Sequence, residues 1–137
     1  MSVEENKAVL RRMIEEWNKG NTAVLDETMA PDCVIHGADG KLTSLEEAKP
    51  FYEELRRAFP DQHIVIEDLI AEEDKVVALY TEEGTMQGNF MGMEATGKRF
   101  TIPSIEIYRF ANGKIAEIWE ARDTASMMRQ LGITPPP

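Results

Sequence analysis

Residues 84–132 read GTMQGNFMGMEATGKRFTIPSIEIYRFANGKIAEIWEARDTASMMRQLG, and this stretch decides the fold. It predicts two strands joined at Asn112-Gly113, because a type I′ turn needs φ > 0 at both central residues and Asn-Gly supplies it most readily. Counting outward from that turn sets Ala111 against Lys114, Phe110 against Ile115, Tyr108 against Glu117, Glu106 against Trp119 and Ile102 against Asp123. With a side-chain period of two, Glu106, Tyr108, Glu117, Trp119 and Asp123 then share one face. Carboxylates beside a large aromatic ring describe the wall of a cavity, where a desolvated carboxyl can move protons. The opposite face carries Ile105, Ile107 and Ile118 with charges at its ends, which fits contact with a partner subunit. Everything here rests on register, since a slip of one residue exchanges the two faces.

Upstream, Ser2-Val3-Glu4-Glu5 is a capping box, followed by Leu10, Met13, Ile14 and Trp17 at helical spacing. Gly20 closes this helix. A second, short helix is expected over 22–30, stopped by Pro31, and an extended segment over 33–37. Ser44-Leu45-Glu46-Glu47 is a second capping box, and Phe51, Leu55, Ala58 and Phe59 form the stripe of the helix it opens. Pro50 either kinks that helix or starts it after a separate turn. Strands are expected over 62–72, 75–87, 98–111 and 114–123, then a last helix over 124–131 closed by Gly132 and a Pro-rich tail at 133–137. Helices first and an antiparallel meander last mean an α+β domain with helices packed on one face of the sheet.

At 137 residues the chain is expected to be one domain, with an ordinary 42% of apolar and 29% of charged residues. A net charge of −10 and the lack of any basic run beyond a pair argue against a nucleic-acid partner. The single Cys33 allows no internal disulfide, the first residues are unlike a signal peptide, and no apolar run reaches membrane-spanning length. A cytoplasmic protein is expected. His36 and His63 lie too far apart in sequence to suggest a metal site, and no phosphate-binding glycine motif or nucleophile elbow appears. No cofactor is expected.

The phrases FPDQHIVIEDLIAEEDKVV (59–77), GTMQGNFMGMEATGKRF (84–100), IEIYRFANGKIAEIWEARD (105–123) and MMRQLG (127–132) resemble the SnoaL-like polyketide cyclase, or ester cyclase, family. The resemblance runs from Trp17 to Gly132. It implies the nuclear transport factor 2-like cone, a curved antiparallel sheet wrapped by helices around an apolar pocket, and a homodimer through the sheet's outer face. It further implies a cofactor-free intramolecular aldol condensation with an aspartate as general acid and base, matched here by Asp123. Glu106 stands where relatives often carry Asp, His36 where they commonly carry His, and Met86 where they commonly carry a different residue, His.

Each candidate has a plainer reading. Asp123 precedes a helix and is a natural N-cap. Glu106 could pair with a strand arginine, and Tyr108 with Glu117 could merely support the sheet. His36 could relay a proton or be structural. Trp119 suits a pocket wall, joined by Met86, Trp17 and Phe51 as apolar lining for a small apolar ligand. The two functions that follow are a carboxylate acid–base enzyme acting on an apolar carbonyl compound, and a non-catalytic ligand-binding or oligomerisation module of the same fold.

Overall fold

A computed structural model of the chain describes residues 2–133. Apart from Ile133, the Pro-rich tail expected at 133–137 lies outside the described residues. Helix α1 (Val3–Asn18) starts at the Ser2–Glu5 capping box and buries Leu10, Met13, Ile14 and Trp17. Helix α2 (Val24–Thr28) runs directly into strand β1 (Met29–His36), so Pro31 lies within a strand and does not end a helix. A strand with no counterpart in the sequence reading, β2 (Leu42–Ser44), pairs with β1. Helix α3 (Leu45–Ala58) opens at the Ser44–Glu47 box and continues through Pro50, which settles the two alternatives in favour of one helix. Strands β3 (His63–Glu72), β4 (Lys75–Thr85), β5 (Arg99–Ala111) and β6 (Lys114–Arg122) follow, and α4 (Thr124–Leu131) ends at Gly132 in the left-handed conformation.

The six strands form one sheet in the order β2-β1-β6-β5-β4-β3, antiparallel except where β1 meets β6. Bulges interrupt the ladders of β3, of β6 and of β1, and bulges bend strands and tighten twist. The sheet therefore curves around the helices as an α+β cone. Inward-facing Val76, Ala78, Tyr80, Ile102, Tyr108 and Ile118 meet the apolar stripes of α1 and α3. Asn18 clasps both backbone groups of Ile64, at 2.8 and 2.9 Å, and so fixes the end of α1 to β3. No helix among the described residues is long and apolar enough to cross a membrane.

One expectation needs correcting, and it moves the site. Asn112 and Gly113 do adopt φ 52° and 80°, the type I′ turn. Ala111↔Lys114 and Phe110↔Ile115 pair as counted, but the ladder then shifts at Ala116, giving Arg109↔Glu117, Tyr108↔Ile118 and Glu106↔Glu120. The extra residue reverses the facing of β6 beyond it. Glu117 and Trp119 turn outward, while Ile118, Glu120 and Arg122 turn inward beside Tyr108, Glu106 and Ser104.

Candidate active site

Inside the cone, three adjacent strands bring charge together. Glu82 of β4, Glu106 of β5 and Glu120 of β6 surround the guanidinium of Arg122. The closest approaches are 3.5 Å to Glu106, 3.9 Å to Glu82 and 4.0 Å to Glu120. These exceed the roughly 2.7–2.9 Å of a tight charge-assisted hydrogen bond. Among the described residues Arg122 Nε has no hydrogen-bond partner. Glu106 and Glu120 are directly opposed across the β5–β6 ladder, where like charges repel.

Burial first, then the charge of Glu120, pushes the Glu106 carboxyl up to about 8, against the pull of Arg122. Burial also raises Glu120, again opposed by Arg122. For Arg122 itself burial favours the neutral form, but the three carboxylates outweigh it and hold the guanidinium charged. Tyr108 donates its hydroxyl proton to Glu106 Oε2, and the Tyr80 and Tyr108 hydroxyls are 2.8 Å apart. These bonds orient the Glu106 carboxyl from behind.

The cluster lies where two chambers meet. The inner one, about 70 Å³, is bounded by α1, α2, α3 and the sheet, with Trp17 and Ile118 on its apolar side. The outer one, about 300 Å³, opens between α3, α4 and the loop near Phe90, with Phe51 and Met91 at its rim. Leu55, Glu120 and Arg122 line both. Trp17 Nε1 donates to Gln62 Oε1 at 2.5 Å, which anchors the wall of the inner chamber.

Of the residues singled out in the sequence, Glu106, Tyr108 and Trp17 line the inner chamber and Phe51 the outer one. The others are placed elsewhere. Asp123 caps α4, its carboxylate accepting from Ser126 N at 3.0 Å, and lines neither chamber. Met86 is fully buried in the core, its sulfur accepting from the Thr96 hydroxyl at 3.8 Å. His36, Trp119 and Glu117 form a separate group on the outer face of the sheet: the two rings stack at 5.0 Å, and His36 Nε2 lies 2.6 Å from Glu117. Glu117 also accepts from Arg109 at 3.0 Å, and the hydrogen bond to His36, followed by that to Arg109, lowers its carboxyl below the usual range. Glu82, Glu120 and Arg122 were missed. Glu82 carried a readable signal, standing in the inward row Val76, Ala78, Tyr80, Glu82; the other two were hidden by the bulge.

Among the described residues no group of three or more His, Cys, Asp or Glu is arranged to hold a metal ion. What remains is an apolar cavity with paired, desolvated carboxyls and one cation at its midpoint, an arrangement suited to moving protons on an apolar molecule. The model of the SnoaL-like polyketide cyclases matches residues 7–131. The chain belongs to that family. Two relatives in it are the aklanonic acid methyl ester cyclases DauD of Streptomyces sp. (strain C5) and DnrD of Streptomyces peucetius. Each is 31% identical to this SnoaL-like chain over 90% of its length, covering 80% and 88% of the respective relative. Among solved structures, AclR of Streptomyces galilaeus, a proposed hydroxylase, superposes with a TM-score of 0.89 at 30% identity, covering 98% of this chain and 100% of that one.

Proposed function

We propose that this SnoaL-like chain is a cofactor-independent cyclase of the aldol type, acting on a small apolar polyketide carbonyl compound through Glu120, Glu106 and Arg122. The observation that carries the reading is the opposed Glu106–Glu120 pair around Arg122 at the meeting of the two chambers. Glu120 faces both chambers and takes the proton from a carbon α to a carbonyl. The electron pair moves to the carbonyl oxygen, and Arg122 stabilises the enolate. The enolate carbon then attacks a second carbonyl of the same molecule: a C–C bond forms, the C=O π bond breaks, and the resulting alkoxide takes a proton from Glu106. Proton return from Glu120 to Glu106 restores the site, and the product is an isomer of the substrate. Burial keeps Glu106 protonated near neutral pH, which suits it as the acid.

The relatives' names make aklanonic acid methyl ester the first compound to try. A positioned base contributes about 10²–10⁴-fold, so Glu120→Gln should lower kcat by that factor and Glu106→Gln by a similar one. Ring closure unaffected by both substitutions would sink the assignment. For the assembly, the proposal is a homodimer through the outer sheet face, supported by Val34, Leu79 and Ile105 there, each about two-fifths exposed or more. Sedimentation should give a dimer that Ile105→Glu dissociates; a monomeric wild type would exclude it.

A further inference from the structure

Tyr80 and Tyr108 are each 1% exposed, and a hydroxyl so deeply buried needs a hydrogen-bond partner. The two oxygens lie 2.8 Å apart, and Tyr108 also bonds Glu106 Oε2. Among the described residues the Tyr80 hydroxyl has no partner besides Tyr108. A phenol has one proton to give, so the row Tyr80–Tyr108–Glu106 can donate in either of two directions. The two are not equivalent. If Glu106 donated to Tyr108 and Tyr108 to Tyr80, the Tyr80 proton would be buried without an acceptor, which disfavours that direction about tenfold or more. With Tyr80 donating to Tyr108 and Tyr108 to Glu106, every proton in the row has an acceptor. The row therefore runs one way. Glu106 Oε2 is taken as an acceptor, and the proton of a neutral Glu106 sits on Oε1, the oxygen 3.5 Å from Arg122 Nη2.

We propose that Tyr108, polarised by Tyr80, is a positioning residue for ring closure: it assigns the Glu106 proton to Oε1 and holds a donor at Oε2 for the carboxylate that forms. The inference rests on the cyclase reading of the site. When the alkoxide is protonated, the O–H bond at Oε1 breaks and the alkoxide O–H bond forms. The electron pair left on Glu106 spreads over both oxygens, and Tyr108 is already aimed at one of them. A donor set in place beforehand stabilises the charge as it develops, with no reorganisation. It works against burial, which disfavours that same charge. Tyr80 acts through Tyr108 alone, because each bond in a row polarises the next by about 10–30%.

The other titratable and charged groups around Glu106 are Glu82 on β4, Glu120 and Arg122 on β6 and Tyr52 on α3. Tyr80→Phe and Tyr108→Phe leave all four in place, so a change in Glu106 titration reports the row. Carbon-13 NMR of the glutamate carboxyls, with Glu106→Gln to assign the signal, reads it without substrate. In Tyr108→Phe the Glu106 midpoint should move up by about one pH unit, the equivalent of one hydrogen bond to a charged group. Tyr80→Phe should move it the same way by about a quarter as much, and should add nothing once Tyr108→Phe is present. The double variant also removes the Tyr80 proton that Tyr108→Phe strands, and so replaces Tyr108→Phe should that variant fold poorly. A midpoint that stays or falls overturns the row, and so does a further move on adding Tyr80→Phe to Tyr108→Phe.

Ring closure of aklanonic acid methyl ester tests the role. An acid must be protonated to act, so kcat should fall as pH rises through the Glu106 midpoint. In Tyr108→Phe that alkaline limb should move up with the carboxyl, and kcat below it should drop about tenfold with KM little changed. A limb that stays while the carboxyl moves overturns the positioning role; if ring closure still depends on Glu106→Gln, the cyclase reading survives. Ring closure indifferent to Glu106→Gln removes the cyclase reading and the positioning role together.

Discussion

Replacing Glu106 by glutamine should make the protein more stable at alkaline pH, because glutamine mimics the protonated carboxyl that the fold selects. Burial lifts Glu106 from 4.5 to about 8, so across that window the folded protein holds a proton that the unfolded chain has released. Unfolding free energy then falls as pH rises, by about 1.4 kcal/mol per pH unit for a single site. The stabilisation is complete below pH 4.5 and gone above about 8, an upper bound of about 5 kcal/mol. Arg122 offsets part of the cost of ionising Glu106, and Glu120 remains ionisable in the variant. We therefore expect about 2–3 kcal/mol of differential effect between pH 5 and pH 8. Urea unfolding at pH 5, 6, 7 and 8 reads it directly. With a slope of about 2 kcal/mol per M, the midpoint of the glutamine variant should gain about 1 M on the wild type between the ends of the series. Parallel profiles for the two proteins would refute the desolvated-carboxyl reasoning, since groups common to both cancel in the difference.

Arg122→Met leaves three buried carboxylates without a cation, so it should cost about 3 kcal/mol or more at pH 8 and clearly less at pH 5, measured as unfolding midpoints at the two pH values. Asp123→Ala should lose about 1 kcal/mol of stability through the cap of α4, seen as a lower Tm, while ring closure stays within about threefold of wild type because the carboxylate lines neither chamber. In Trp17→Phe the buried Gln62 oxygen loses its indole donor, and thermal unfolding should show a cost of about 1–2 kcal/mol.

Much of the fold follows from local chemistry and was legible residue by residue. Both capping boxes, the Asn112-Gly113 turn and the Gly132 terminus are short-range signals, each satisfied within a few residues, and the apolar stripe of α1 shows in the spacing of its own residues. So the order of the larger elements, though not β2 or the boundary between α2 and β1, and the α+β class could be read from the chain alone. The same locality made Asp123 recognisable as a cap, while its implied catalytic duty required knowing which way it faced. Facing is a question of register, and register is fixed by long-range pairing. The shift at Ala116 leaves no sign in composition or spacing, yet it exchanges Glu117 and Trp119 for Glu120 and Arg122 on the inner face. Only the tertiary structure could decide that, because a bulge is stable or not according to what the whole curved sheet packs against. It likewise took three strands to set Glu82, Glu106 and Glu120 around one arginine, and thereby to bury Glu106 where its carboxyl is pushed up to about 8.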